Sequence, residues 1–353
     1  MKLYRWRDRP NFGDELNDVL WPEYFGPFLR DDDDTVFAAI GTVLSPALGK
    51  DRPVIVFGSG CGYDPLPALG AHWRFYFVRG PLSAKLLRLD RRLAITDPAI
   101  LLAEKRPNVE SDLTVSFIPH WETSLTPLWR KACQLAGIQY IDPLAPVPEV
   151  CNQLARSALV IAEAMHGAIV ADAFRVPWIP ALTSSRFNLF KWQDWGASLG
   201  ISPAIHALPQ IGIADLLRTL LVDPDENAAF IAEAGSTFDT SVEQSFRFKR
   251  MNRLYARLLG KPTRSWLEYK VLERLGPELD QALSRVHRNM WNRRLEYAAE
   301  ALCEVSKRPA YLSSDVRFAS ALGRVHEKVR DLQNDLAEAE WGTRSQTQRV
   351  AQR

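Results

Sequence analysis

The chain has 353 residues, enough for two ordinary domains plus extra structure, and 46% of them are hydrophobic, which supplies real cores and marks a globular protein. Its 44 Lys and Arg nearly cancel its 42 Asp and Glu, so no overall field draws it to nucleic acid or to an anionic membrane, and any anion site has to be local. Charges interrupt the start MKLYRWRDRPNFGDELN where a signal peptide needs its apolar core, and no later run approaches the roughly 18 apolar residues of a membrane span. The four cysteines, Cys61, Cys133, Cys151 and Cys303, form no C-x-x-C pair, so the expectation is a cytoplasmic protein with reduced, mostly packing thiols and neither disulfides nor zinc.

In chain order, NFGDELN (11–17) comes first. Gly13 permits an unusual turn, and Asp14 either caps the helix of ELNDVLW or contacts a sugar hydroxyl. The run DDDD (31–34) reads as a solvated loop, because consecutive carboxylates lack the spacing of metal ligands. Apolar runs then recur at 36–44, 54–60, 75–80, 93–100, 113–120, 138–143, 159–167 and 176–182, with helical segments between them. That alternation predicts parallel sheets flanked by helices, with the polar and glycine residues that end each run sharing one rim.

FGSGCGY (57–63) lacks the full G-x-G-x-x-G spacing, so Gly58 and Gly60 either let a ligand approach the backbone or permit tight strand–helix packing; Cys61 has no evident helper as a nucleophile. Arg79 leaves a buried strand just before Gly80 and Pro81; its planar fork suits phosphate or carboxylate oxygens, or an internal salt bridge with Asp97. Asp97 itself reads as a helix cap or turn former. A boundary is expected near EKRPNVESD (104–112).

SALVIAEAMHGAIVADAFRVPW (157–178) places His166 and Gly167 where a buried strand gives way to a small-residue helix, the rim at which open α/β sheets bind ligands. That position, the following glycine and nearby Glu163 make His166 the strongest single candidate. RFNLFKWQDW (186–195) interleaves Arg186 and Lys191 with Trp192, Trp195 and two phenylalanines, a mixture that can hold an anion and stack a sugar ring, half of it expected to be core. Beyond Trp195 helices take over: Phe248, Met251, Tyr255 and Leu258 share a face ended by Gly260 and Pro262, and 263–340 reads as all-helical, with a short seam of Leu322, Val325, Val329, Leu332 and Leu336. Residues 341–353 are expected to fray. Trp266, Leu267, Leu272, Leu275, Trp291, Leu295 and Leu302 need cover from the core, a second subunit or a membrane surface; packing in cis or a dimer is favoured, because acids are interspersed with the basic residues.

NFGDELN, IGTVL, VFGSGCGY, VRGPLSA, ITDPAILL, IPH and LVIAEAMHGAIVADAFRVPWI, in this order over about residues 1–200, together resemble the bacterial polysaccharide pyruvyl transferases, especially the succinoglycan-type ketal transferases. The resemblance implies two Rossmann-like domains facing across a GT-B-like cleft, here 1–107 and 108–262, the second carrying His166; the helical extension over 263–340 and the disordered tail over 341–353, read from the residues, lie beyond its motifs. It implies phosphoenolpyruvate as donor substrate with no metal or other cofactor, and a saccharide acceptor, lipid-linked or not, with no nucleic acid. Peripheral association with the inner face of the cytoplasmic membrane and a homo-oligomer stay open. Many relatives carry Arg-Leu before His-Gly where this chain has Ala164 and Met165, so a donor cation would come from Arg79, Arg186 or Lys191.

Ketal formation needs a proton on the methylene carbon of phosphoenolpyruvate, attack by two sugar hydroxyls, and loss of phosphate. His166 suits the proton transfer, and Glu163 or Asp14 would orient it or accept a hydroxyl proton. Arg79, Gly80, Gly58, Gly60, Gly167, Arg186 and Lys191 are the expected donor-side residues; Asn11, Asp97, His120, Trp192 and Trp195 are the expected acceptor-side ones. Two other readings stand beside this one: a GT-B-type glycosyltransferase using a sugar nucleotide, and a catalytically inactive carbohydrate-binding or assembly protein, to which Ala164-Met165 and the long helical C-terminal region point.

Overall fold

The computed structural model describes residues 1–6, 10–50, 52–62, 65–112, 114–183, 188–212 and 275–351. Arg186, the helical face at 242–260, and Trp266, Leu267 and Leu272 lie outside the described residues. The architecture is α/β with two parallel sheets. The first holds β1 (Lys2–Tyr4), β2 (Val36–Ala38), β3 (Val54–Phe57) and β4 (Trp73–Phe77) in the order β1-β2-β3-β4. The second holds β5 (Val115–Ile118), β6 (Gln139–Tyr140), β7 (Leu159–Ala162), β8 (Trp178–Leu182) and β9 (His206–Ala207) in the order β6-β5-β7-β8-β9. Every position of β2, β3 and β8 is buried, the pattern of strands covered on both faces.

Two strand expectations change. LAITDPAI forms only a single bridge, Val78 to Ala94, before a 3-10 helix over Pro98–Lys105, because Pro98 lacks a ladder donor and Asp97 caps the helix by accepting from Ala99 N. The edge strands β1, three residues long among charges, and β9, two residues long in the stretch beyond Trp195 expected to be helical, are additions to the expected set.

Helix α1 (Phe12–Phe25) buries Phe12, Leu16, Leu20, Trp21 and Phe25 along one stripe. Trp21 meets Phe37 and Phe57 edge-on at 5.4 and 5.5 Å, so the underside of the first sheet is an aromatic cluster. Helices α2 (Pro81–Leu86), α3 (Trp121–Ser124), α4 (Leu128–Ala136), α5 (Val147–Arg156), α6 (Met165–Ala173) and α7 (Leu189–Ser198) follow the strands. Helix α4 stops at Gly137, whose left-handed φ of 66° lets its N–H reach the last carbonyls. One apolar cluster runs from Trp21 and Phe57 of the first half to Ile118, Val160 and Trp178 of the second, so the two sheets share core.

The C-terminal region is helical: α8 (Gly276–Val286), α9 (Arg288–Ser306) and α10 (Asp315–Ala351). Trp291, Leu295 and Leu302 of α9 pack with Phe117 and Trp129 in the second sheet's cluster, whereas Leu275 stays exposed. Tyr311 then pairs with Trp178 through two backbone hydrogen bonds of 2.9 and 2.7 Å, and buried Asp172 accepts from Ser313 N at 2.8 Å. From there α10 crosses to the first sheet, where Ala321, Val325, Val329 and Leu332 enter the shared core. Asp335 accepts from Arg74 and Tyr76 of β4, and His326 pairs with Glu104 at 2.8 Å. The helix continues over 341–351, the stretch expected to fray. Among the described residues no helix is long and apolar enough to cross a membrane.

Candidate active site

The site assembles where the ends of both sheets meet. After β7, Ala164 is extended and α6 begins, placing His166 in the first helical turn. Behind its ring lies Asp97, fully buried. One carboxylate oxygen caps the 3-10 helix by accepting from Ala99 N at 3.0 Å, and the other, Oδ2, stands 3.6 Å from His166 Nε2. Neither Asp97 Oδ2 nor His166 Nε2 has a hydrogen-bond partner, although both are buried. Such orphaned atoms are costly, and here they face each other at a distance that a small closure turns into a hydrogen bond.

The opposite edge of the ring rests on Gly13. A Cβ there would lie 2.0 Å from His166 Nδ1, so the missing side chain forms the seat of the imidazole. Asn11 caps α1, accepting from Gly13 N at 3.2 Å and donating to Asp14 Oδ2 at 2.6 Å. Burial raises the Asp14 pKa, and the charges of His166, Lys191 and Arg5, with the Asn11 hydrogen bond, pull it back down. The site thus holds a buried carboxylate under the charges of an imidazole, a lysine and an arginine. Lys191 comes from the first turn of α7, whose cap, Asn188, accepts from Lys191 N at 3.1 Å and ties α7 to the loop after β3 by donating to Gly62 O.

This set can give a proton to one atom, take one from another and hold an anion between cations. The family model for polysaccharide pyruvyl transferases matches residues 39–185, a span that holds Asp97 and His166. The succinoglycan biosynthesis protein ExoV of Rhizobium meliloti (strain 1021) is 40% identical over 215 residues, 59% of this chain and 68% of that protein. The chain belongs to the polysaccharide pyruvyl transferase family. It is therefore a pyruvyltransferase enzyme with a saccharide acceptor. No solved structure matches it.

In this pyruvyl transferase several expected roles move. Glu163 does not orient His166: one oxygen accepts from the Thr183 N–H at 2.9 Å and from the Thr183 hydroxyl, the other from His120 N at 2.9 Å, so the buried carboxylate staples the ends of β5, β7 and β8 together. Burial drives its pKa up against those hydrogen bonds. Arg79 is fully buried rather than open to the donor; it pairs with Asp194 of α7, not Asp97, and donates to Thr42 Oγ1 at 2.7 Å and Cys61 O at 3.1 Å. Asp194 also caps α2, accepting from Leu82 N and Ser83 N at 2.9 Å each.

The glycines follow suit, as spacers for packing rather than a ligand cradle. A Cβ at Gly58 would strike Pro98 and Phe77, at Gly60 the Arg79 guanidinium, at Gly80 the Asp194 backbone, and at Gly167 Ile118. Asp97 supports the histidine from behind and is too deep for an acceptor. Trp192 and Trp195, expected to meet the acceptor, are 2% and 1% exposed and pack on Trp178. Cys61 has its thiol pushed up to about 12 by burial and by Asp194, which removes it as a nucleophile. His120 is half-exposed beside the site, Asn11 holds Asp14, and Lys191 lies within reach of Asp14. Arg5, which sequence reasoning passed over, pairs with Asp18 and adds its charge to those acting on Asp14; it follows a three-residue edge strand that carries no signal of a site.

Proposed function

We propose that the enzyme moves the pyruvyl unit of phosphoenolpyruvate onto two hydroxyls of one sugar in an exopolysaccharide repeat unit, forming a cyclic ketal and releasing phosphate. The observation that carries this reading is His166 held between Asp97 and Gly13, with the buried Asp14 acted on by the charges of His166, Lys191 and Arg5. Asp97 faces the Nε2 edge and Gly13 seats the Nδ1 edge, which together hold the imidazole in place. His166 protonates the methylene carbon, the double-bond electrons form the new C–H bond, and C2 takes on oxocarbenium character.

A sugar hydroxyl then bonds to C2 and loses its proton to Asp14, whose raised basicity suits that task. The C2–O bond to phosphate breaks with its electron pair staying on phosphate, and the second hydroxyl closes the ring. Of the two hydroxyl protons, one replaces that given to C3 and one leaves with phosphate. Lys191 and Arg5 offset the carboxylate and phosphate charge; Arg186 would add to them.

The two sheets are read as the Rossmann-like halves of a GT-B-like arrangement, 1–107 and 108–262, with 263–340 as a helical addition. The donor is a cytoplasmic metabolite, which assigns the reaction to the cytoplasm, at the inner membrane face when the acceptor is lipid-linked. Incubation with phosphoenolpyruvate and lipid-linked oligosaccharides of the native host should release phosphate and add one pyruvate ketal by mass. Release of a nucleoside diphosphate from a sugar nucleotide, with no phosphate from phosphoenolpyruvate, would replace this reading by glycosyl transfer.

A further inference from the structure

With Trp192 and Trp195 buried, the enzyme needs another surface for its acceptor, and the tryptophans identify one. Nine have described side chains. Trp21, Trp73, Trp129, Trp178, Trp192, Trp195 and Trp291 are buried; Trp6 and Trp121 are half-buried. These two come from different sheets, Trp6 just after β1 and Trp121 just after β5, yet their rings lie 5.6 Å apart at 41°. The His120 ring adds a third face 5.8 Å from Trp121, and its Nδ1 stands 3.6 Å from Glu122 Oε2.

Trp121 and His166 stand on the same rim: β5 and β7 are parallel neighbours with Ile118 opposite Ala162, Trp121 follows β5 and His166 follows β7. His120 N is bonded to Glu163 between them, and Trp6 joins that rim through its ring contact with Trp121. A broad indole face beside an imidazole and a carboxylate matches the chemistry of a pyranose: apolar C–H groups on one side of the ring, hydroxyls around its edge. We infer that Trp6 and Trp121 form the platform on which a sugar ring of the acceptor stacks, with His120 and Glu122 receiving its hydroxyls. The inference rests on the proposed ketal transfer to a saccharide and names the acceptor side of that site.

The test uses the full-length enzyme, with Trp121→Ala and Trp6→Ala, the conservative Trp121→Phe, and succinoglycan oligosaccharides stripped of ketals by mild acid. Calorimetric binding of the oligosaccharide and phosphate release from phosphoenolpyruvate are read separately. Either alanine variant should weaken oligosaccharide binding and raise its KM about tenfold or more, with phosphoenolpyruvate affinity and thermal midpoint unchanged, and phenylalanine should recover most of the loss. Oligosaccharide binding and KM within twofold of wild type in both alanine variants, with phosphate release intact, would overturn the platform and leave the reaction standing. Binding lost in the variants while the wild type releases no phosphate would overturn the reaction and keep the platform.

Discussion

Two sets of buried charged groups behave in opposite ways. Around Arg79, Asp194 and Glu163 the charged groups have partners: Asp194 takes two backbone N–H groups, the Ser83 hydroxyl and the guanidinium, and Glu163 takes three donors. Around His166 the accounting is left open: Asp97 Oδ2 and His166 Nε2 are buried and unbonded, and Asp14 sits among cations with its pKa raised. Satisfied charge holds the scaffold in register; unsatisfied charge is what a substrate can use.

His166→Ala should break the second cluster most severely, lowering kcat by about 100-fold or more at an unchanged melting temperature. Near-normal phosphate release from the folded variant would return His166 to packing. Asp194→Ala attacks the first cluster. Leaving Arg79 buried without its partner should cost about 3–5 kcal/mol of stability, read by chemical denaturation, while phosphoenolpyruvate affinity of the folded fraction holds. Selective loss of donor affinity at full stability would instead put Arg79 in contact with the donor.

Gly13→Ala tests the seat of the imidazole. The added methyl must displace the ring, and a shift of about 1 Å is enough for a loss approaching 100-fold in kcat. Helicity should hold, since alanine favours α1 more than glycine does. The smallest effect sharpens the comparison by pH. Asp14 holds its proton more tightly in the folded state than at its ordinary 3.8, so wild-type stability falls as pH rises from that value through the raised one. Asp14→Asn does not titrate, so melting curves across that window should move in the variant's favour and then run parallel.

The sequence made the rim legible because strand-end polar residues mark where parallel strands stop, and His166 stood out by that rule. Local patterns also exposed the α9 face of Trp291, Leu295 and Leu302. Partners could not be read the same way. Arg79 and Asp194 are 115 residues apart, and Asp97 lies closer to Arg79 in sequence, yet folding brings Asp97 under His166 instead. The direction of Trp192 and Trp195 was equally hidden, since an aromatic-basic run looks alike whether its rings face a sugar or Trp178. Gly13 gave no hint that its missing Cβ serves a ring more than 150 positions later.

The crossing of α10 has a consequence for the order in which the molecule is made. Strands β1 to β4 leave the ribosome more than 200 residues before Ala321, Val325, Val329 and Leu332, which complete the core beside them. Until then, the leading half presents an apolar face around β4 and the Pro98–Lys105 helix, and the contacts that cover it are among the longest-range in the chain. A nascent or truncated chain lacking α10 is thus a sticky species, and dependence on chaperones during synthesis is built into the route by which the last helix returns to the first sheet.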